Sequence, residues 1–349
     1  MDIYSTHYLC GIVNSLITPP LFLLDHFFPS LLQAEDETIH FDVIDKTRRL
    51  APFVSPMVAG KVIEEKGYST LSFKPAYIKI KTALEPLSTM RRVQNEQVGQ
   101  PDSLLQRHQH RLNAILLDQF DVIHRRLEWM AAKALLDGAY IVEGDEYQTA
   151  KIHFGRDSNH KINLPALRCW NNVGSNPLID LNEWYQMILK KTGASAFDIV
   201  MTPDVFTIFK ENPVIEARFK RVQAASQDNT LQTGSPAGEG GTFMGQIEGF
   251  KIWVYTAWYL DQNGQEHPML PPGTVILTSP ELAGTRAFGA ILDMEAASLG
   301  LAPGTPLPVP VFAKSWADDD PSLRWIMTQC APLIVPTRVN ASISARVLQ

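Results

Sequence analysis

Cysteine is scarce in this sequence, and its scarcity excludes two classes of protein. The 349 residues include three cysteines, Cys10, Cys169 and Cys330, which lie far apart and form no Cys-x-x-Cys pair. A disulfide-stabilised scaffold needs more cysteines, and a structural zinc site needs closely spaced ones. We therefore expect inert thiols in a reducing compartment and no metal site.

Positive charge is also sparse. Lys and Arg number 31 against 37 Asp and Glu, which gives a net charge of −6, and the basic residues form no long run. Tight binding to a polyphosphate needs a basic face, so this composition argues against it. The same balance allows a wall that encloses nucleic acid without binding it tightly.

Long apolar runs are missing as well. The apolar N-terminal stretch is interrupted by Pro19, Pro20 and Asp25, whereas a membrane span needs roughly 20 uninterrupted apolar residues. The first residues are not basic, as those of a signal peptide would be. We expect a soluble, cytoplasmic protein whose N-terminal apolar side chains pack either on another subunit or on the chain's own body. For the interface alternative the candidates are Leu21, Phe22, Phe27 and Phe28.

Motifs that would carry chemistry are incomplete. Residues 240–245 have the glycine spacing of a phosphate loop, but Gln246 and Ile247 stand where the motif needs Lys and Ser or Thr. His124 and Glu128 have metal-ligand spacing on a helix, yet one pair is not a site, and a solvated polar face explains them. The acidic residues 318–320 precede a proline and indicate a turn. We expect no catalytic residue and no cofactor, although a triad of distant residues stays possible.

Alternating apolar residues flank a charged turn within residues 46–95. Val62 and Ile63 precede residues 64–67 (Glu-Glu-Lys-Gly), and alternation resumes from Tyr68 to Lys81. This pattern is typical of a β-hairpin. Since a two-stranded ribbon has too little core to be stable alone, we expect it to lean on a neighbour.

The strongest periodicity runs through residues 101–137. Apolar side chains recur mostly at steps of three and four residues, which predicts one long amphipathic helix from Pro101 to a stop at Gly138. About 36 residues would form a rod of roughly 54 Å laid on a sheet. The apolar positions are Leu105, Leu112, Leu116, Phe120, Ile123, Leu127, Met130 and Ala134.

The rest of the chain alternates strands and helices, which indicates a small mixed α/β domain over much of residues 178–315. Gly, Ser, Gln and Asn are frequent in residues 226–245 and predict a mobile loop. Asn263-Gly264 predicts a hairpin turn, and residues 303–310 an extended linker. Strand character returns after residue 323, where Pro332 and Pro336 suit edges or strand ends.

The order of these parts, together with several strings, resembles the lambda-type major capsid proteins of tailed phages, which have the Hong Kong 97 capsid fold. The resemblance extends over nearly the whole chain. The strings that carry it are residues 54–60 with Val62 and Ile63, 73–79, 90–92, 254–255 through 263–264, 270–271, 286–289, 314–316, 320–321 and 329–333.

The resemblance implies an α+β fold in five parts. These are an N-terminal arm (1–45), an E-loop hairpin with flanking segments (46–95), a P-domain (96–178) with the spine helix 101–137, an A-domain (179–317), and C-terminal strands (318–349) that return to the P-domain. It also implies E-loop residues at a subunit interface: Gly60, Lys61, Ile63, Lys66, Tyr68, Phe73, Tyr77, Lys79 and Lys81.

The function implied is that of a head-shell subunit. Hexamers and pentamers of the chain would build a procapsid in the host cytoplasm and enclose double-stranded DNA in the virion. The expected partners are a separate scaffolding protein, a decoration protein and a portal protein, because the sequence has no long charged N-terminal extension and no recognisable cross-linking pair. Two alternatives stay open, an encapsulin-like non-viral shell and an α/β enzyme with a dispersed site.

Overall fold

The computed structural model describes residues 3–16, 20–34, 36, 38–43, 57, 69–86, 103–144, 147–172, 174–218, 235–261, 263–295, 310–320 and 322–349. Its helices are α1 (Thr6–Ser15), α2 (Phe22–Phe27), α3 (Leu104–Asp137), α4 (Pro177–Thr192) and α5 (Pro203–Glu211). Its strands are β1 (Ser30–Gln33), β2 (Ile39–Val43), β3 (Ser69–Phe73), β4 (Ile78–Leu84), β5 (Ala139–Gly144), β6 (Tyr147–His153), β7 (Lys161–Asn163), β8 (Asp198–Met201), β9 (Ser235–Pro236), β10 (Gly241–Ile247), β11 (Phe250–Tyr255), β12 (Trp258–Leu260), β13 (Glu266–Pro268), β14 (Thr274–Thr278), β15 (Gly284–Phe288), β16 (Phe312–Asp318), β17 (Leu323–Cys330), β18 (Pro332–Pro336) and β19 (Ile343–Arg346).

Helix α3 is the long spine that the periodicity predicts. Ser103 caps it, because the Ser103 side chain accepts the N–H of Gln106 while the Gln106 side chain accepts the N–H of Ser103. The predicted start at Pro101 lies outside the described residues. The helix ends at Gly138, whose φ of 60° is left-handed, and a Cβ there would lie 2.6 Å from the Cβ of Arg156. The Arg156 guanidinium donates to the last helical carbonyls, those of Ala134, Leu135 and Leu136.

One face of the spine is buried against sheet. Helix α3 packs on β4, β17, β18 and β19. Most of the predicted apolar positions are in the core, namely Leu112, Leu116, Ile123, Leu127, Met130 and Ala134. Leu105 is 59% exposed and Phe120 is half-buried, so the apolar stripe stops short of the N-terminal turn of the helix.

Two kinds of sheet surround the spine. A seven-stranded mixed sheet has the order β7-β19-β14-β8-β11-β10-β9, and its central strands β8 and β14 are fully buried. Two three-stranded sheets, β1-β15-β18 and β16-β17-β4, lie beside α3. The predicted hairpin at Asn263-Gly264 is present as the β12–β13 pair. Pro332 and Pro336 lie at the two ends of β18, at a sheet edge as predicted.

The predicted hairpin differs from the observed pairing. Strand β3 pairs with β2, so the ribbon consists of Ile39–Val43 and Ser69–Phe73. Strand β4, which was predicted as the continuation of the second arm, pairs with β17 instead. Alternation identifies a strand, but it does not say which strand it pairs with, and residues 74–77 separate β3 from β4.

Other predicted segment boundaries also differ from the observed strands. The predicted loop 226–245 contains β9 and the start of β10, while residues 219–234 and the linker 303–309 lie outside the described residues. The five-part division stays a prediction, but strand pairings cross it. Strand β19, from the C-terminal part, pairs with β14 of the predicted A-domain, and β17, also from the C-terminal part, pairs with both β16 and β4.

Candidate functional site

The N-terminal segment 20–28 packs between the spine and the seven-stranded sheet. Its side chains Leu21, Phe22, Phe27 and Phe28 are exposed by 8%, 1%, 0% and 0%. This corrects the expectation that they face another subunit, because side chains so deeply buried have no surface left to offer a neighbour. Their apolar area is covered by the chain's own core, which is the alternative that the sequence left open.

Glu128 of the spine holds the first turn of α2. Its carboxylate accepts the backbone N–H groups of Leu23 and Leu24, both at 2.9 Å, and the hydroxyl of Tyr255 on β11 donates to it at 2.7 Å. The side chain is 1% exposed. One residue therefore joins the N-terminal segment, the spine helix and the seven-stranded sheet.

The sequence-based interpretation of Glu128 was wrong. The i,i+4 spacing from His124 suggested a solvated polar face, but α2, which lies more than 100 residues away in sequence, covers Glu128. His124 itself packs against the ring of Phe120 at 4.4 Å, and burial lowers the pKa of its imidazole. The available signal was a lone acidic residue among apolar neighbours, next to Leu127 and before Met130.

Burial gives Glu128 an unusual proton affinity. It raises the pKa of the carboxyl to about 7, although the three hydrogen bonds that it accepts oppose this shift. Burial, and secondly the charge of Glu128, also raises the pKa of Tyr255. Since Glu128 ionises more readily in water, packing of α2 over it is coupled to proton uptake.

Two further polar contacts anchor the same segment. The Nε2 atom of His26 lies 3.6 Å from Oδ2 of the buried Asp198, whose Oδ1 accepts the indole N–H of Trp253 at 3.0 Å. Arg286 of β15 donates at 2.6 Å both to the carboxylate of Asp25 and to the carbonyl of Phe28. Asp198 of β8 and Arg286 of β15 thus contact the segment in addition to Glu128 of the spine.

The aromatic packing beneath α2 depends on a glycine. The ring of Phe22 lies 5.1 Å from that of Trp253 and 6.0 Å from that of Tyr255, between ring centroids. A Cβ on Gly241 would overlap the Phe22 ring. Gly241 begins β10, so this glycine of the apparent phosphate loop instead serves close packing in a strand.

The predicted E-loop residues fall into three groups. Gly60, Lys61, Ile63, Lys66 and Tyr68 lie outside the described residues. Phe73 lies on β3 of the ribbon, where its ring stacks on that of Phe41 at 5.6 Å. Tyr77, Lys79 and Lys81 do not lie on the ribbon, because β4 belongs to the β16-β17-β4 sheet. Their assignment to the E-loop hairpin is corrected for that reason.

These three residues lie beside an aromatic face of that sheet. The ammonium of Lys79 is 5.0 Å from the ring centroid of Tyr77, and that of Lys81 is 4.6 Å from the ring centroid of Trp325. Trp325 stacks in turn on Trp316 of β16. Cation–π contacts of this kind immobilise lysines on a sheet surface.

The described part of the chain gives little support for a metal-binding or catalytic site. No group of three or more His, Cys, Asp or Glu side chains in it could hold a metal ion. Burial raises the pKa of the thiols of Cys10 and Cys330, which keeps both protonated and poorly nucleophilic. None of the helices described is both long and apolar enough to cross a bilayer.

A spine helix laid on small sheets, a seven-stranded mixed sheet and a separate two-stranded β-ribbon are the parts of the Hong Kong 97-like fold of phage shell subunits. The chain belongs to the phage major capsid protein E family, whose sequence profile matches residues 5–347. The family is structural, and the role of the chain is that of a head-shell subunit of a tailed phage. This assignment removes the support for the encapsulin and enzyme alternatives.

Individual relatives agree over almost the full length. The major capsid protein of Enterobacteria phage phi80 is 25% identical over 349 residues, which cover 99% of each chain. That of Escherichia phage lambda is 26% identical over 321 residues, or 90% of each chain. A prophage capsid protein from Escherichia coli CFT073 has a similar structure, with a TM-score of 0.75 at 23% identity over 98% of each chain.

Proposed function

We propose that copies of this chain form hexamers and pentamers that tile an icosahedral head and enclose double-stranded DNA. The observation that carries the proposal is the family match over residues 5–347. A net charge of −6 suits a wall that surrounds DNA without sequence-specific binding. An interface in which one surface of a subunit binds a different surface of the next can close into rings. Rings of this kind let one chain cover a shell.

We also propose that the segment between β2 and β3 contacts a neighbouring subunit. Val43 pairs with Ser69, so residues 44–68 connect the two strands of the ribbon at this end. The segment includes the predicted interface residues Gly60, Lys61, Ile63, Lys66 and Tyr68. When one subunit contacts several neighbours, the first contact raises the effective concentration for the others. Each single contact can therefore be weak.

The proposed partners are those of a head-assembly pathway. A separate scaffolding protein, a decoration protein and a portal protein would act with the shell, and assembly would take place in the host cytoplasm. The support is the resemblance to lambda-type capsid proteins, together with the overall match to the lambda protein at 26% identity. These partners are proposals about the pathway, and the subunit fold does not depend on them.

Electron microscopy and sedimentation of the purified chain, alone and with a candidate scaffold, test the shell role. The expected products are sheets, tubes or closed shells. Subunits that stay monomeric at every concentration, with scaffold present, would contradict the role.

A loop deletion tests the inter-subunit segment. Residues 44–68 are replaced by a two-residue turn that joins Val43 to Ser69. A deletion extended to Lys81 is unsuitable, because it would remove most of β4 from its sheet. The shortened chain should lose assembly and keep the cooperative melting of the body. Normal shells from the shortened chain would show that the segment is dispensable.

A further inference from the structure

Strand β1 has unusual exposure for an apolar strand. It forms the edge of the β1-β15-β18 sheet, and all four of its residues, Ser-Leu-Leu-Gln, are exposed. Leu31 is 57% exposed and Leu32 is 41% exposed. Since successive side chains of a strand point to opposite faces, the two leucines leave apolar area uncovered on both faces.

Half of the backbone groups of β1 have no partner strand in the sheet described. The strand pairs with β15 in parallel register, and Ala34 donates its N–H to the carbonyl of Phe288 at 2.8 Å. In a parallel ladder alternate residues point their N–H and C=O groups toward the same neighbour. Ser30 and Leu32 therefore point toward β15, and Leu31 and Gln33 point their donors and acceptors toward the open edge.

In the described sheets of three or more strands, other outer strands are protected. The edge strand β4 carries Lys79 and Lys81, and β7 carries Lys161. The short edge strand β9 ends in Pro236, and all residues of β18 are buried. Charge, proline and burial are the usual devices against strand addition. Strand β1 contains no charged residue and no proline.

We propose that β1 is a strand-addition site at which a second copy of this chain completes the sheet. The inference rests on the proposed function, because a shell of identical subunits supplies one further copy for every exposed edge. A partner present in fewer copies than the shell subunit would leave most of these edges open. The added strand would take the outward groups of Leu31 and Gln33 and cover both leucine side chains.

Hydrogen exchange of the peptide spanning residues 29–34 tests the site. It is measured in free subunits and in particles assembled from the same chain. The amides of Leu31 and Gln33 should exchange freely in subunits and slow by about tenfold or more in particles. Particles in which this peptide exchanges as in subunits would overturn the site and leave the shell role intact. Failure of the wild-type chain to assemble at all would instead overturn the shell role, and the site with it.

A matched pair of variants gives the second test. Leu31→Lys adds to β1 the protecting charge found on β4, and Leu167→Lys adds the same charge at a leucine that is 93% exposed in the turn Ala166–Arg168. Leu31→Lys should lower particle yield by about tenfold while free subunits melt as wild type, and Leu167→Lys should stay close to wild type. Wild-type assembly of Leu31→Lys, or equal losses in both variants, would contradict the proposal.

Discussion

Helix α2 and strand β1 are neighbours in the chain, separated by Phe28 and Pro29, and both carry large apolar side chains, yet they are buried to opposite extents. Four of the six residues of α2 are buried, namely Phe22, Leu23, Leu24 and Phe27. All four residues of β1 are exposed. Apolar composition alone therefore does not reveal whether a segment of a shell subunit belongs to its own core or to a partner.

The difference follows from where the backbone groups find partners. In α2 the orphan N–H groups of Leu23 and Leu24 are satisfied by Glu128 within the same chain. In β1 the outward groups of Leu31 and Gln33 have no such partner in the sheet described. The backbone N–H and C=O groups of a buried segment need hydrogen-bond partners within the chain. Those of an edge strand can instead bind another molecule.

The largest expected effect comes from truncating a side chain in each segment. Phe22→Ala removes a ring that is 1% exposed and should lower the free energy of unfolding of the free subunit by about 3–5 kcal/mol. Leu31→Ala should change it by less than about 0.5 kcal/mol. Urea unfolding of the two variants measures both values. Similar losses would break the contrast between α2 and β1.

A second prediction concerns pH. Because the pKa of Glu128 is raised from 4.5 to about 7, its contribution to stability is present below pH 4.5 and is lost as pH rises through about 7. Between these limits wild type should lose about 3 kcal/mol relative to Glu128→Gln, which does not titrate. Melting both proteins from pH 5 to 9 isolates the contribution of Glu128, because His124 is present in both and its effect cancels in the difference. Parallel pH profiles would exclude Glu128 as the titrating group.

Removing one donor to Glu128 should have a smaller effect. Tyr255→Phe deletes the 2.7 Å hydrogen bond and should cost about 1 kcal/mol. It should also move the pH midpoint upward, because that hydrogen bond favours the ionised carboxylate. The pH dependence of melting reports both changes. A downward shift of the midpoint would mean that the hydroxyl does not stabilise the carboxylate.

The smallest effect is expected at the protected edge. Lys81→Ala removes the cation–π contact with Trp325 and should cost about 0.5–1 kcal/mol in free subunits. Lys151→Ala, at another exposed strand lysine, is the control and should be neutral. Tryptophan fluorescence followed during urea unfolding reads out both variants. Equal stability of the two would mean that Lys81 makes no useful contact.

Local signals predicted the elements of the fold better than their partners. The spine helix was predicted closely, because its periodicity and Gly138 are local features of the sequence. The hairpin was predicted with a wrong second arm, because the pairing of β4 with β17 joins residues 240 or more positions apart. Sequence order alone does not contain that information.

The same limit applies to the candidate site. Phe22 was correctly marked as an apolar side chain that needs cover, but the cover is supplied by Trp253 and Tyr255, which only the fold brings next to it. Glu128 was dismissed because a single pair with His124 is not a metal site, and a solvated polar face was the simpler interpretation. Its partners on α2 and β11 are distant in sequence, and no spacing rule links them.

Residue-resolved hydrogen exchange of Leu23 and Leu24 in free subunits tests the central contrast most directly. If α2 belongs to the chain's own core, both amides should exchange slowly, and only through global unfolding, already in free subunits. Amides that exchange rapidly in free subunits and become protected only in particles would contradict the account and return α2 to the subunit interface.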